Sequence, residues 1–151
     1  MKLSNLIKRE AIVVPIQNTE KQLVIEELLE AAAATGQVID RAKALQALLD
    51  RESLGSTGLE KGLAIPHART NAVDGLVISL GVAPDGIDFQ AADGGLSYLF
   101  FLLLASDALT STYVQALALI ARLYQQDDFR REILNATTPQ EIIAIIRKAE
   151  E

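Results

Sequence analysis

The sequence predicts an α/β domain in which a mixed central sheet is covered by helices on both faces. Apolar segments of strand length alternate with segments of helical periodicity, which favours layered helices and strands. Residues Leu99–Leu104 are apolar at every position, as in a strand buried on both faces. Pro84–Asp85–Gly86 lies between apolar segments and predicts a hairpin, so one antiparallel strand pair is expected.

Three strands are predicted from apolar runs and from alternation. The first is AIVVPI, residues 11–16. The second is LVISLGVA, residues 76–83, whose alternation of apolar with small or polar positions predicts a half-buried strand. The third contains LSYLFFLLLAS, residues 96–106, and its continuous apolar stretch places it in the middle of the sheet.

Two helices are predicted in the first third of the chain. The first opens with Thr19 and Gln22 as a capping box, carries an apolar stripe and stops at Gly36. The second begins near Asp40 and breaks at Leu54–Gly55.

Three further helices are predicted after the central strand. The first covers about residues 112–125, and the second begins at Asp127 or Asp128. The third opens with Thr138–Pro139–Gln140–Glu141, which combines a capping box with proline at the first helical position.

Length and composition favour one soluble cytoplasmic domain spanning residues 1–151. No apolar run reaches the roughly 20 residues that cross a bilayer, and no signal peptide is recognisable at the N-terminus. The absence of cysteine excludes disulfides and thiolate metal sites, and the single histidine cannot by itself build a His-rich zinc site. A net charge of −6 with scattered basic residues argues against nucleic-acid binding.

The residues that could carry chemistry lie in the polar loop RESLGSTG, residues 51–58, and at His67, the only histidine. Neither GxxxxGK[ST] nor GxGxxG is present, so no nucleotide cofactor is expected. A neutral imidazole is a good nucleophile, and an arginine binds phosphate oxygens in two-point geometry, which together indicate phosphoryl chemistry. These residue types also fit a structural histidine, a surface ion pair of Arg51 and a simple Ser–Thr–Gly turn, so composition alone leaves both interpretations open.

The order RExxxSTG followed by GLAIPHA, residues 62–68, resembles the enzyme IIA domains of the fructose and mannitol type. These domains belong to the bacterial sugar phosphotransferase system, and the resemblance includes their nitrogen-regulatory branch. It extends over nearly the whole chain and implies a single enzyme IIA domain over residues 1–151.

The resemblance implies a role for each matched residue. His67 matches the histidine that accepts a phosphoryl group from the phosphocarrier protein HPr and passes it to the IIB domain of a sugar permease. Arg51 matches the arginine beside the phosphohistidine, and Ser56 and Thr57 match the family's phosphate-binding STG. Neither a cofactor nor a metal is implied.

Two positions depart from the family pattern. Glu60 replaces a small residue, and its carboxylate would repel phosphate if it pointed into the site. Tyr113 stands where many members carry a second active-site histidine, and its hydroxyl can donate a hydrogen bond to phosphate but supplies no positive charge. Three functions therefore remain open: a sugar-transport phosphoryl carrier, a regulatory protein switched by phosphorylation of His67, and a paralogue that binds partners without being phosphorylated.

Overall fold

The computed structural model describes residues 1–151 and contains a five-stranded mixed sheet. The strands are β1 (Ile12–Val13), β2 (Leu63–Ala64), β3 (His67–Arg69), β4 (Leu76–Ile87) and β5 (Ser97–Ala105). β1 is parallel to β4, β4 is antiparallel to β5, and β2 and β3 follow one another in parallel along the other side of β5. The predicted mixed sheet is confirmed.

Helices cover both faces of this sheet, as predicted. They are α1 (Leu3–Leu6), α2 (Lys21–Ala33), α3 (Arg41–Ser53), α4 (Thr110–Tyr124), α5 (Asp127–Asn135) and α6 (Pro139–Ala149). Side chains of α2 and α3 form one core with the sheet, and those of α1, α4, α5 and α6 form a second core on the opposite face. No helix is both long enough and apolar enough to cross a bilayer.

Strand β5 contributes to both cores because successive side chains of a strand point to opposite faces. Its six central residues are completely buried. One set of alternate residues packs beneath α4, α5 and α6: Leu99, Phe101 and Leu103. The other set packs beneath α2 and α3: Phe100, Leu102 and Leu104. The continuous apolar run thus predicted the central strand correctly.

Strand β4 differs from its prediction in two respects. Residues 77–83 are buried, so the strand is not half-buried, because helices lie against both of its faces. The antiparallel pairing of β4 with β5 was predicted correctly, but Pro84–Asp85–Gly86 is not the turn between them. Those residues form an irregularity within β4, between Val82 and Ile87, and the connection to β5 follows at residues 88–96.

The predicted helix ends are partly confirmed. The predicted capping box of Thr19 and Gln22 is wrong: Glu20 precedes α2, and no side chain caps the helix there. The preceding loop is instead held by the carboxylate of Glu27, which accepts hydrogen bonds from the amides of residues 17 and 18. At the other end of the chain, Thr138 accepts a hydrogen bond from the amide of Glu141 and begins α6 as predicted.

Other element boundaries are close to the predictions. Asp40 caps α3 by accepting a hydrogen bond from the amide of Lys43, and the helix ends before Leu54. Only Ile12–Val13 of the predicted first strand is assigned to the sheet. Pro15 has no amide hydrogen to donate, and the next hydrogen bond to β4 comes from the amide of Ile16.

The loop after α3 is joined by backbone hydrogen bonds to the chain around β2. The amide of Ile65 donates to the carbonyl of Thr57 at 3.0 Å, and the amide of Leu59 donates to the carbonyl of Leu63 at 2.7 Å. Gly58 lies so close to Ala91 that a Cβ atom there would be 2.9 Å from its Cα. This pairing carries the end of α3 toward the start of β3, where His67 lies.

Candidate active site

His67 is the first residue of β3 and lies opposite Leu103 of β5. Pro66 precedes it and interrupts the sheet edge between β2 and β3, but the register of both short strands against β5 is the same. Ala68, the next residue, is buried, whereas His67 is half-buried. The alternation of the strand therefore leaves the imidazole partly accessible.

One nitrogen of the His67 ring is occupied by the protein. Nδ1 lies 2.5 Å from the carbonyl oxygen of Ile65. A carbonyl oxygen can only accept, so Nδ1 carries the proton and donates it. In the neutral ring, Nε2 is then the nitrogen with a free lone pair, and it can act as a nucleophile.

The surroundings favour the neutral form of this imidazole. Burial lowers the pKa of His67 below its usual value, and the positive charge of Arg51 lowers it further. The hydrogen bond to Ile65 and the negative charge of Glu52 act in the opposite direction without cancelling these effects. At pH 7 the ring is therefore predominantly unprotonated at Nε2, as nucleophilic attack requires.

A cavity of about 590 Å³ opens beside His67. Arg51 reaches it from the last turn of α3, Arg69 from β3 and Tyr113 from the first turn of α4. Leu54, a highly exposed apolar side chain, also lines the cavity. Three elements that are distant in sequence thus meet around one imidazole, as the predictions for Arg51 and Tyr113 require.

Arg51 is fixed to the loop that follows it. Its Nη1 donates to the carbonyl oxygen of Gly55 at 2.8 Å, and it takes part in none of the chain's ion pairs. A guanidinium group has five N–H donors, so most of them remain for a ligand. The side chain is therefore a positioned cation whose charge no carboxylate neutralises.

Ser56 and Thr57, the two predicted phosphate-binding residues, do not line this cavity. The Ser56 hydroxyl donates to the carbonyl of Phe89 at 2.8 Å and accepts from the amide of Gly58 at 3.0 Å. Thr57 is buried and donates through its hydroxyl to the carboxylate of Glu52. Both hydroxyls thus hold the loop together in this structure.

Glu52 is the centre of the contacts beneath the loop. Its carboxylate pairs with Lys21 Nζ of α2 at 2.8 Å and accepts hydrogen bonds from both the amide and the hydroxyl of Thr57. Lys21 also lies over the ring of Phe89, 4.8 Å from the ring centroid. This network ties α2, α3 and the loop to one another next to Arg51.

Tyr113 faces the imidazole directly. The two ring centroids are 6.0 Å apart and the rings are tilted by 49°. Burial raises the pKa of Tyr113 to about 12, although the positive charges of Arg69 and Arg51 oppose that rise. The phenol is therefore protonated at neutral pH and can donate a hydrogen bond into the cavity.

Glu60 lies away from the cavity. It is exposed, belongs to a short 3₁₀ turn at residues 60–62, and does not line the space beside His67. Repulsion of phosphate by its carboxylate, which the sequence raised as a concern, therefore has no structural basis in this arrangement.

Besides Asp50, which precedes Arg51 on α3, sequence reasoning missed a second charged residue of the cavity, Arg69. It is two positions after His67 on the same strand, so both side chains lie on the same face. The HxR spacing was visible in the sequence, but the spacing is informative only where the segment is known to be a strand. No group of three or more His, Cys, Asp or Glu side chains could hold a metal ion.

Comparison with known proteins identifies the family. The family model for EIIA 2 of the phosphoenolpyruvate-dependent sugar phosphotransferase system matches residues 5–149. The chain belongs to this EIIA 2 family. It is therefore an EIIA component of the phosphotransferase system, in agreement with the resemblance found in the sequence.

Two relatives show how EIIA 2 units occur in nature. The chain is 34% identical to the fructose-specific EIIABC component of Bacillus subtilis, matching over 98% of this chain but only 23% of that protein. It is 33% identical to the fructose-specific EIIA component of Haloferax volcanii, over 99% of this chain and 97% of that protein. The unit thus corresponds to a part of the first relative and to nearly all of the second.

Solved EIIA structures confirm the fold. The nitrogen regulatory protein IIA-Ntr of Neisseria meningitidis is 25% identical, with a TM-score of 0.82, over 95% of this chain and 98% of that chain. The mannitol IIA of Escherichia coli, solved as a complex with phosphorylated IIB, is 19% identical with a TM-score of 0.80. That match covers 95% of this chain and 99% of the other, and it shows the shared fold.

Proposed function

We propose that this EIIA protein is a cytoplasmic phosphoryl carrier that accepts a phosphoryl group from HPr on His67 and passes it to the IIB domain of a fructose- or mannitol-class permease. The observation that carries the proposal is the geometry of His67. Its Nδ1 is engaged by Ile65, which leaves Nε2 available beside a cavity lined by Arg51. The fructose-specific relatives support the substrate class, and the mannitol IIA in complex with phosphorylated IIB supports the acceptor.

The proposed transfer needs no cofactor, because every bond that forms is matched by one that breaks. The lone pair on Nε2 of His67 attacks the phosphorus atom of the phosphohistidine of HPr. An Nε2–P bond forms, the N–P bond of the donor breaks, and its electron pair returns to the donor imidazole. The His67 ring then carries a positive charge, because Nδ1 keeps its proton.

The Ile65 carbonyl supports this charged intermediate. A carbonyl oxygen that accepts a hydrogen bond from a cationic ring stabilises the cation more than it stabilises the neutral ring. When the phosphoryl group moves on to the IIB acceptor, the N–P pair returns to Nε2 and restores the starting tautomer. No proton has to enter or leave the imidazole in the complete cycle.

In the proposed reaction, Arg51 stabilises the phosphoryl group through charge-assisted hydrogen bonds to its oxygens, and Tyr113 donates its phenolic hydrogen. Phosphoryl transfer depends mostly on positioning and on stabilising negative charge, which suits these residue types. The hydroxyls of Ser56 and Thr57 remain predicted phosphate ligands, but their hydrogen bonds to Phe89 and Glu52 favour an indirect role in shaping the loop.

The test is phosphorylation of the purified protein by phospho-HPr, followed by intact mass. We expect one acid-labile phosphoryl group in the wild type and none in His67→Ala. Arg51→Ala should slow the transfer about tenfold to a hundredfold, because a hydrogen bond to a charged group contributes about 1.5–3 kcal/mol. Arg41→Ala, at the exposed other end of α3, is the matched control and should react at the wild-type rate.

Retention of the phosphoryl label by His67→Ala would refute the assignment. A wild-type protein that takes up no label would instead support the paralogue that binds partners without phosphorylation.

A regulatory function is the second candidate, favoured by the similarity to IIA-Ntr. In this role, phosphorylation of His67 changes the affinity for a partner protein instead of supplying phosphate to a permease. Adding a fructose-type IIB domain to the phosphorylated protein separates the two roles. Rapid loss of the label to IIB supports transport, whereas a stable label combined with altered partner binding supports regulation.

A further inference from the structure

Arg69 lies beside His67 without a structural need for its charge. It is exposed at the end of β3, whereas the residue between it and His67, Ala68, is buried in the core beneath α3. Arg69 takes part in none of the chain's ion pairs. Its positive charge is therefore available to a ligand in the cavity that both His67 and Arg69 line.

The side chain is nevertheless held in place. Arg69 Nη1 donates to Thr110 Oγ1 at 2.6 Å. Thr110 is the first residue of α4, one turn before Tyr113 on the same helix. The guanidinium group thus bridges from β3 to the start of α4, and its charge acts on the Tyr113 phenol that faces the imidazole. A single side-chain hydrogen bond leaves most of the guanidinium donors free.

The cavity is more positive than the protein that surrounds it. The chain has a net charge of −6, yet the cavity is lined by two arginines and only one carboxylate, that of Asp50. Asp50 accepts a hydrogen bond from Gln46 and forms no ion pair with either arginine. Arg51 comes from α3 and Arg69 from β3, so two cations approach the same space from different elements.

We propose that Arg69 is a second phosphate-binding cation of the site, which contacts the phosphoryl group on His67 together with Arg51. This inference rests on the proposed function, because it assigns a ligand to the same cavity. A phosphate-binding Arg69 also explains how the site can function with an uncharged tyrosine at position 113. The position on α4 that faces the imidazole supplies only a hydroxyl, and strand β3 supplies the additional positive charge through Arg69.

The kinetic test compares single-turnover phosphorylation by phospho-HPr at saturating donor. Arg69→Gln should be slower than the wild type by about threefold to tenfold, since an exposed charged hydrogen bond contributes less than a buried one. Arg69→Lys should recover part of the rate because it restores the charge. Arg122→Gln removes an exposed arginine farther along α4 and is the matched control for net charge.

The variant Thr110→Val tests whether Arg69 binds phosphate or only holds α4 in place. The substitution removes the hydrogen bond between Arg69 and Thr110 but keeps the guanidinium group. If Arg69 binds phosphate, Thr110→Val transfers faster than Arg69→Gln. Equal losses in these two variants would show that only the link to α4 matters, and an Arg69→Gln rate equal to wild type would also overturn the inference.

A second measurement does not depend on HPr. Because His67 is the only histidine, its ring protons give a single set of imidazole signals in a proton NMR titration with inorganic phosphate. We expect the apparent phosphate affinity to fall about threefold to tenfold in Arg69→Gln. Equal phosphate affinities of the wild type and Arg69→Gln would contradict a phosphate-binding role for Arg69. If phospho-HPr fails to phosphorylate the wild type, the proposed function fails, and this titration alone decides the role of Arg69.

Discussion

Tyr113 is a neutral hydrogen-bond donor at the place where many family members carry a second histidine. Burial raises the pKa of its hydroxyl to about 12, so the phenol stays protonated throughout the neutral pH range. A histidine there would supply positive charge only when protonated. The tyrosine instead offers a donor whose state is independent of pH across the neutral range.

Replacing this donor tests its contribution. Tyr113→Phe removes the hydroxyl and keeps the ring beside His67, so we expect phosphorylation by phospho-HPr to slow about threefold to tenfold. Tyr113→His should be tolerated or faster, because it restores the family's pair. Single-turnover rates for the three proteins at matched thermal stability measure the effect. A Phe variant as fast as the wild type would mean that Tyr113 is only an apolar wall of the cavity.

The sequence was most informative about single residues where a local pattern indicated the chemistry. His67 and Arg51 were predicted as site residues from GLAIPHA and RExxxSTG, and both line one cavity in the structure. The tautomer of His67 could not be predicted, because it depends on where the carbonyl of Ile65 points. The orientation of Ser56 and Thr57 depends on Phe89 and Glu52, and long-range contacts of this kind leave no local pattern.

The loop of residues 51–58 depends on a largely buried ion pair. Glu52, with 7% of its side chain exposed, binds Lys21, whose side chain is 20% exposed, and also holds Thr57. The loop has no regular secondary structure after the end of α3, so its shape relies on these contacts and on its pairing with the chain around β2. The position of Arg51 follows from the same contacts.

Glu52→Gln should therefore destabilise the protein. The substitution leaves Lys21 with a partly buried charge and weakens the bonds to Thr57, so we expect a loss of about 2 kcal/mol in the free energy of unfolding. Glu60→Gln, which changes an exposed carboxylate nearby, should alter stability by less than about 0.5 kcal/mol. Urea unfolding at pH 7 measures both. The same midpoint for the two variants would contradict a structural role for Glu52.

Helices and strands were predicted well where a single capping side chain or the composition of the segment itself determined the local structure. The capping box at Thr138 and the buried strand β5 needed no knowledge of distant residues. The start of α2 was misplaced because Glu27, a residue within the helix, holds the preceding loop. Pro84–Asp85–Gly86 has the composition of a turn but forms an irregularity of β4, since pairing with β5 resumes at Ile87.

The whole molecule has two hydrophobic cores that share one sheet. Alternate residues of β5 belong to opposite cores, so the loss of that strand would expose both at once. The sequence predicted helices on both faces, but not which helices pack together, because periodicity identifies an apolar face without naming its partner. The pairing of β2 and β3 with β5, which places His67, also involves residues too distant for local prediction.

We therefore expect cooperative unfolding. Leu102→Ala removes a buried side chain from the core beneath α2 and α3 and should lower the free energy of unfolding by about 2–5 kcal/mol. Tyrosine fluorescence includes Tyr124 in the opposite core, and far-UV circular dichroism reports the whole backbone. The two signals should shift together to the same lower midpoint. Separate transitions would show that the two cores unfold independently.

The hydrogen bond from His67 Nδ1 to the Ile65 carbonyl has a consequence for signalling under the proposed function. With one histidine and one free ring nitrogen, each molecule has a single place for the label and only one positional isomer of it. Each molecule therefore carries either one phosphoryl group or none. Under the proposed function, the phosphorylated fraction of the population then reports the balance between uptake of phosphoryl groups from the donor and their transfer to the acceptor.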